Sequence, residues 1–432
     1  MTRLAAPIVL AELGWMGMGL VDTMVVGRVS AEAIAAVGLG TIVFYGVAVC
    51  ASGLLLGMDT LVSQAYGAGD AEDCRHSLIQ GVWISLVLIP LVTGLVWLLS
   101  ALLPGFGIDP SVVRATRPYL RALTWSAPAL LVYFAFRRYL QSVNLVRPVM
   151  WTLVTANLVN LAGNWVLVFG HWGAPKLGAE GSGWATCLSR AYMVTLLGVV
   201  IFRRERDLPR SPWGWDGQRI RELLRLGGPA AAQMGLEIAV FAIVTMLAGR
   251  LSALALASNQ IALLTVSTTF MVPLGISSAA AVRVGHALGR RDPQAAARSG
   301  WMALALGGGV MLAAAALLLT EPRILARLFT PEAEVIAAAA TLLRIAAFFQ
   351  LFDGLQVVAT GALRGAGNTR TPMLCHFAGY WLVGLPLGAA LCFGRGLGAA
   401  GLWVGLSTGL ILIGIVLAVF WSRAAKRFTM VD

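Results

Sequence analysis

Long apolar stretches, cut by short clusters of charge, glycine and proline, run through the chain from residue 5 to residue 421. A helix needs about 20 apolar residues to cross a hydrocarbon layer about 30 Å thick. Stretches of that order occupy residues 5–27, 34–62, 77–103, 119–141, 149–170, 178–202, 227–249, 255–281, 299–320, 338–362, 373–394 and 398–421. The pattern predicts an all-α integral membrane protein of twelve transmembrane helices. The second stretch is longer than the layer requires, so it must tilt or project beyond it. Met1-Thr2-Arg3 followed by apolar residues imitates a signal peptide, but the run continues to Val26 and carries Glu12 and Asp22. It reads as the first membrane helix.

The two halves of the chain repeat. Pro7 to Ser30, ending Val26-Gly27-Arg28-Val29-Ser30, matches Pro229 to Ser252, ending Ala248-Gly249-Arg250-Leu251-Ser252. Leu177-Gly178-Ala179-Glu180-Gly181 matches Leu397-Gly398-Ala399-Ala400-Gly401, and Asn144 to Pro148 matches Asn368 to Pro372. Six spans per copy is an even number, so the copies lie parallel, as two pseudo-symmetric six-helix bundles about an axis along the membrane normal. The expected organisation is an N-terminal lobe at 1–202, a cytoplasmic linker at 203–226 containing Pro209, Pro212, Trp213 and Trp215, and a C-terminal lobe at 227–432. A cleft between two such lobes is the usual home of a transport site.

Composition agrees with lipid as the solvent. Charged residues make up 12% of the chain, about half of the usual ~25% in a soluble domain, and leave no means of wetting a sizeable soluble domain. The net charge of +12 does not point to nucleic acid, because the basic residues are spread between apolar runs rather than gathered on one face. They concentrate in alternate loops, at Arg3, Arg75, Arg137, Arg138, Arg147, Arg203 to Arg225, Arg283 to Arg298, Arg364, Arg370 and Arg423 to Arg427. The positive-inside rule then predicts a multi-pass plasma-membrane protein, in bacteria the inner membrane, with both termini cytoplasmic. The five cysteines have neither C-x-x-C nor zinc spacing. Gly396 to Gly401 fits G-x-G-x-x-G and Gly405 to Gly409 fits G-x-S-x-G, but no strand precedes either, so both are chance matches. No nucleophile, metal or phosphate site emerges; the expectation is a monomeric non-enzyme without cofactor.

Chemistry is expected where ionisable groups lie inside the membrane, since a charge there costs on the order of 3 kcal/mol. Glu237 and Asp353 are central in their spans and Asp22 lies in the outer part of the first. Each is a candidate site for a proton or a small cation. Gln233 lies four residues before Glu237 and Gln356 three after Asp353, so each pair shares a helix face. Asn157, Asn160 and Asn164 form one amide stripe in the fifth span. Glu12 and Arg190 are both near mid-membrane in the first half, which suggests a buried ion pair. Trp15, Phe44, Phe241, Phe348, Phe349 and Tyr380 are aromatic candidates for a cleft that takes flat organic cations.

In these residues the chain resembles the multidrug and toxic compound extrusion (MATE) family, in its NorM-like branch, over essentially its whole length. The resemblance is carried by Gly19-Leu20-Val21-Asp22-Thr23, Asp59 to Gly69, Asn160 with Asn164-Trp165, Glu237, Arg283-Val284-Gly285-His286, and Asp353 to Gly365. It implies alternating access by two six-helix lobes. Inward movement of Na+ or H+ drives export of small organic cations, often aromatic drugs and dyes, with no cofactor besides the coupling ion. It also implies a C-lobe cation site at Glu237 and Asp353, where Na+ is possible, and an N-lobe polar site of Asp22 with Asn160 and Asn164. Two departures stand out: Phe349 replaces a tyrosine that accompanies the span-ten acid in relatives, and Glu12 is an additional acid. The alternative is a lipid-linked oligosaccharide flippase of the same superfamily, which needs a cationic centre, whereas the central residues here are mainly acidic.

Overall fold

The structure, a computed structural model, describes residues 1–106, 110–206 and 213–430. Helices account for nearly all of it, and no strand occurs among the described residues. The first half contains α1 (Thr2–Val26), α2 (Ala31–Leu54), α3 (Gly57–Ala68), α4 (Ala71–Leu102), α5 (Pro110–Thr124), α6 (Ala127–Ser142), α7 (Val146–Phe169) and α8 (Ala179–Glu205). The second contains α9 (Gly217–Leu251), α10 (Ala253–Gly289), α11 (Pro293–Thr320), α12 (Pro322–Arg327), α13 (Ala333–Gly365), α14 (Arg370–His376), α15 (Leu385–Ala389) and α16 (Gly398–Thr429). Eleven of the described helical stretches are long and apolar enough to cross a membrane. The twelfth span is the α5–α6 pair, which is broken at Trp125–Ser126 into two pieces too short to qualify singly. The architecture is that of a twelve-helix membrane protein with two pseudo-symmetric six-helix bundles.

The two copies differ in where their helices break. α2 and α3 are separated at Leu55–Leu56, whereas α10, their counterpart, runs unbroken. At that break the amides of Leu55 and Leu56 bond three residues back, to Ser52 and Gly53 carbonyls at 3.1 Å, which tightens the turn. The tightened turn lets α9 cross at backbone distance. A Cβ on Gly227 would stand 1.9 Å from the Leu54 carbonyl oxygen, and one on Gly57 2.4 Å from that of Leu223. In the second copy the irregularity lies elsewhere: between α14 and α15, and again after α15, the helix loosens into π-type turns at Phe377–Gly384 and Ala390–Gly394. There it packs on α16 glycine to glycine, with a Cβ on Gly405 only 2.3 Å from Gly388 Cα.

Packing gathers the chain into two compact units, Leu10–Ala231 and Met1–Val9 with Ala232–Asp432. The first turns of α1 and the first part of α9 thus each belong to the unit opposite the rest of their helix. Pro7 and Pro229 lie inside these two helices at matching places in the repeat. Of the expected linker, residues 207–212, with Pro209 and Pro212, lie outside the described residues. The part that follows is fastened to α4. Gln80 donates to the Gly214 carbonyl at 2.9 Å and accepts from the Asp216 amide at 3.1 Å. Trp83 donates to the Trp213 carbonyl at 3.2 Å, and Arg219 pairs with Asp73.

Gly227→Ala is expected to abolish accumulation of folded protein, since neither the helix backbone nor Leu54 can yield the space and overpacking costs about 1–3 kcal/mol even where side chains relax. Gly228→Ala, where nothing lies within 4 Å of the added carbon, is expected to be neutral. Membrane expression and thermal unfolding of the two purified variants check the contrast.

Candidate cation-coupling sites

In the unit containing Ala232–Asp432, α9, α13 and α14 bring five of the expected polar residues together with one that was not expected. Asp353 is buried on α13, and Gln356, one turn further, donates from Nε2 to its Oδ1 at 3.1 Å. Gln356 Oε1 is 2.7 Å from Nε2 of His376 at the end of α14, and that nitrogen is also 3.3 Å from Gln233 Nε2 on α9. Glu237, one turn beyond Gln233, is half-buried. It lies within electrostatic reach of Asp353. Tyr380 follows His376 by one turn, with ring centroids 5.8 Å apart; it is fully buried and its hydroxyl has no hydrogen-bond partner. Both carboxylates act electrostatically on that hydroxyl. Neither Glu237 nor Asp353 has a basic partner among the described residues.

Phe349 is placed differently from its polar neighbours. It is buried and stacks on Trp403 of α16, with centroids 6.2 Å apart and an interplanar angle of 30°. Trp403 in turn donates to Asn259 Oδ1 at 2.9 Å, so this side of α13 is packed against α10 and α16. Phe348, its neighbour in sequence, is exposed. Phe241 packs edge-on to Tyr380 with centroids 6.0 Å apart.

In the unit Leu10–Ala231, Asp22 is buried and held by neutral donors. Asn164 Nδ2 is 2.7 Å from Oδ1 and Thr186 Oγ1 is 3.0 Å from Oδ2. Asn160 accepts from Asn164 Nδ2 at 3.2 Å, while its own Nδ2 is buried without a partner. Asn157 stands apart from this group; it donates to the Gly14 carbonyl at 3.0 Å and so ties α7 to α1. The amide stripe therefore divides into two residues at the acid and one at a helix contact.

The expected Glu12–Arg190 pair is not formed. Glu12 is bound by Arg137 instead, with both side chains buried. Arg190 donates to Ser126 and to Tyr45, and its guanidinium lies 4.9 Å from the Phe44 ring centroid. The reason is the proximity of α6 to α1. Arg137 falls inside the expected span 119–141 although it counts by charge among the loop cations, and α6, which runs to Ser142, buries its side chain against Glu12 of α1. Arg138 beside it reaches the buried Asp59 at 3.5 Å. No carboxylate lies within ion-pair distance of Arg190 among the described residues. Phe44, expected to line a cleft, is buried beneath it.

His376 and Thr186 are the site residues that sequence reasoning missed. His376 lies near the start of its span, where a histidine passes for an interfacial residue. The usable signal was its position four residues before Tyr380 in an apolar run, on one helix face.

A family model described as MatE matches the chain twice, over residues 7–166 and 229–390. The chain is 36% identical over 435 residues to a protein of Bradyrhizobium diazoefficiens named probable multidrug resistance protein NorM, covering 98% of this chain and 93% of that one. It is also 36% identical to multidrug resistance protein PmpM of Pseudomonas aeruginosa, covering 98% and 91%. The crystal structure of a eukaryotic MATE transporter, AtDTX14, superposes with a TM-score of 0.89 at 22% identity, over 99% of this chain and 97% of that one.

Glu12→Gln leaves Arg137 buried without its counter-charge and is expected to lower stability by about 3–5 kcal/mol. Replacing both residues with leucine is expected to recover most of that loss. Thermal unfolding of the single and double variants in detergent measures both; an additive double variant contradicts the pairing.

Proposed function

Because the chain belongs to the multidrug and toxic compound extrusion (MATE) family, in its NorM-like branch, we propose that it is a secondary active exporter that uses inward proton movement to expel small organic cations. The observation that carries the reading is the contrast among the acids within its spans. Glu12 and Asp59 face arginines and Asp22 faces amide and hydroxyl donors, whereas Glu237 and Asp353 have no fixed cation among the described residues. A carboxylate in a low-dielectric setting is tolerated only when its charge is compensated. At Glu237 and Asp353 that compensation is left to something that comes and goes, a proton in one state and a cationic drug in the other. Transport follows if the two occupants favour different states of the protein or exclude one another.

The proton is favoured over Na+ by the surrounding atoms. A hard metal cation seeks several oxygen ligands. Beside Asp353 the described residues bring at most the single amide oxygen of Gln356, and Phe349 brings no oxygen and is packed on Trp403. Export of drugs is supported by the names of the relatives, which are multidrug resistance proteins of bacteria. The flippase alternative is disfavoured because no arginine or lysine pairs with Glu237 or Asp353 among the described residues. A bacterial inner-membrane location with both termini cytoplasmic follows from the arginine-rich loops, and monomeric action from two lobes carried on one chain.

Asp353→Asn is expected to reduce drug resistance of a sensitised host to the level of cells lacking the protein, with membrane expression unchanged. Retained resistance contradicts the role. In vesicles holding the wild-type protein, a pH gradient without Na+ is expected to drive ethidium movement; dependence on a Na+ gradient at fixed pH would overturn the proton assignment.

A further inference from the structure

His376 is fully buried, and both its ring nitrogens are engaged. Nδ1 is 2.8 Å from the Pro372 carbonyl oxygen, which can only accept, so Nδ1 carries a hydrogen. Nε2 is 2.7 Å from Gln356 Oε1, and the other end of the same amide is 3.1 Å from Asp353 Oδ1. A carboxamide presents an acceptor at one end and a donor at the other, and turning it over exchanges the two without moving its neighbours. One amide thus bridges two titratable groups.

Two arrangements satisfy this bridge and leave no net charge on the pair. In the first, the Gln356 NH2 donates to an ionised Asp353, and its oxygen accepts the Nε2 hydrogen of an imidazolium. In the second the amide is turned over: protonated Asp353 donates to the amide oxygen, and the NH2 donates to the bare Nε2 of neutral His376. An ionised Asp353 beside a neutral His376 leaves acceptor facing acceptor and a buried anion without a counter-charge. A protonated Asp353 beside an imidazolium leaves a buried cation uncompensated. Gln233, whose amide also reaches Nε2 at 3.3 Å, can turn in the same way and so accommodates either state of the ring.

We infer that His376 and Asp353 hold one proton between them, linked through Gln356, and that His376 is a positioning residue for proton coupling. This rests on Asp353 being a coupling acid. On passing from the first arrangement to the second, one O–H bond forms on Asp353 and one N–H bond is lost at Nε2; the proton count of the pair is unchanged. Discharge of Asp353 is accompanied by charging of His376, so the anion is stabilised at the moment it forms. The other titratable groups around the imidazole are Glu237 of α9 and Tyr380 on its own helix. Cys375 instead lines the groove formed with Leu412 and Phe420. α16, packed along the same helix, has no titratable side chain from Gly398 to Ser422.

The test is ethidium transport by the full-length protein in vesicles, followed against pH at a constant imposed pH difference. His376→Gln keeps an N–H donor toward Gln356 but cannot take up a proton. Its loss removes one of the two bases that share the proton, so the proton is held less tightly and the midpoint of the pH profile is expected to move downward by about one pH unit or more. Gln356→Met is expected to give the same downward shift, and the double variant no more than either alone. Profiles of His376→Gln and wild type that coincide overturn the inference. Should His376→Gln fail to fold, nitrogen NMR of the histidine rings decides it: the imidazolium signal of His376 is expected in wild type and lost in Asp353→Asn, and a signal unaffected by that substitution overturns it. Asp353→Asn that still transports on a pH gradient sinks the exporter reading itself, whereas an inactive Asp353→Asn with coincident profiles sinks only the shared proton.

Discussion

An ionised side chain in a hydrocarbon setting must find its compensation inside the protein, because neither water nor salt is there to supply it. A charge at mid-bilayer costs on the order of 3 kcal/mol on permissive scales, a large fraction of the stability of an ordinary fold. The chain nevertheless buries Glu12, Asp22, Asp59, Arg137, Arg190 and Asp353. Each buried charge has a specific local answer. Arg137 answers Glu12, Arg138 answers Asp59, and neutral donors answer Asp22. Arg190 is answered by two hydroxyls and two aromatic faces. For Asp353 the answer within reach is one amide and, through it, one imidazole.

That difference in compensation separates the two compact units, although the sequence repeat relates them. A carboxylate facing an arginine stays ionised over the whole physiological range, because the guanidinium cannot release its proton. It can hold helices together, but it cannot report a proton gradient. A carboxylate whose neighbours are amides and an imidazole can change state at modest expense. The helices follow the same division. The first copy is broken at Leu55–Leu56 and Trp125–Ser126. In the second copy the π-type turns begin at Phe377, directly after His376 and around Tyr380. Such turns often mark functional positions, since a backbone already departing from i→i+4 bonding can shift register with little loss.

Much of this was legible from the residues in order. Apolar run length gave the spans, the recurrence of Pro7 to Ser30 at Pro229 to Ser252 gave the duplication, and the expense of buried charge singled out Glu237, Asp353 and Asp22. What could not be read was which side chains on different helices meet. Spacing within a helix pairs Gln356 with Asp353 correctly, but nothing in the spacing says that Glu12 faces α6 rather than α8. The error about Arg137 has a related cause. A basic residue near the end of an apolar run looks like a loop cation even inside the expected span 119–141, while α6 turns Arg137 inward. His376 is hidden for the same reason, because a histidine near the start of a span resembles an interfacial anchor until α9 and α13 are placed beside it.

The energies involved are of matching size. A tenfold difference in proton concentration is worth about 1.4 kcal/mol per proton. A neutral hydrogen bond contributes about 0.5–1.5 kcal/mol net, and one to a charged group about 1.5–3 kcal/mol. A device driven by a gradient of that order needs two arrangements separated by no more than one or two hydrogen bonds. A wider gap would lock the carboxyl in one state. An amide between Asp353 and His376 meets the requirement, because turning it over exchanges charged for neutral hydrogen bonds without opening a cavity or exposing a lone pair.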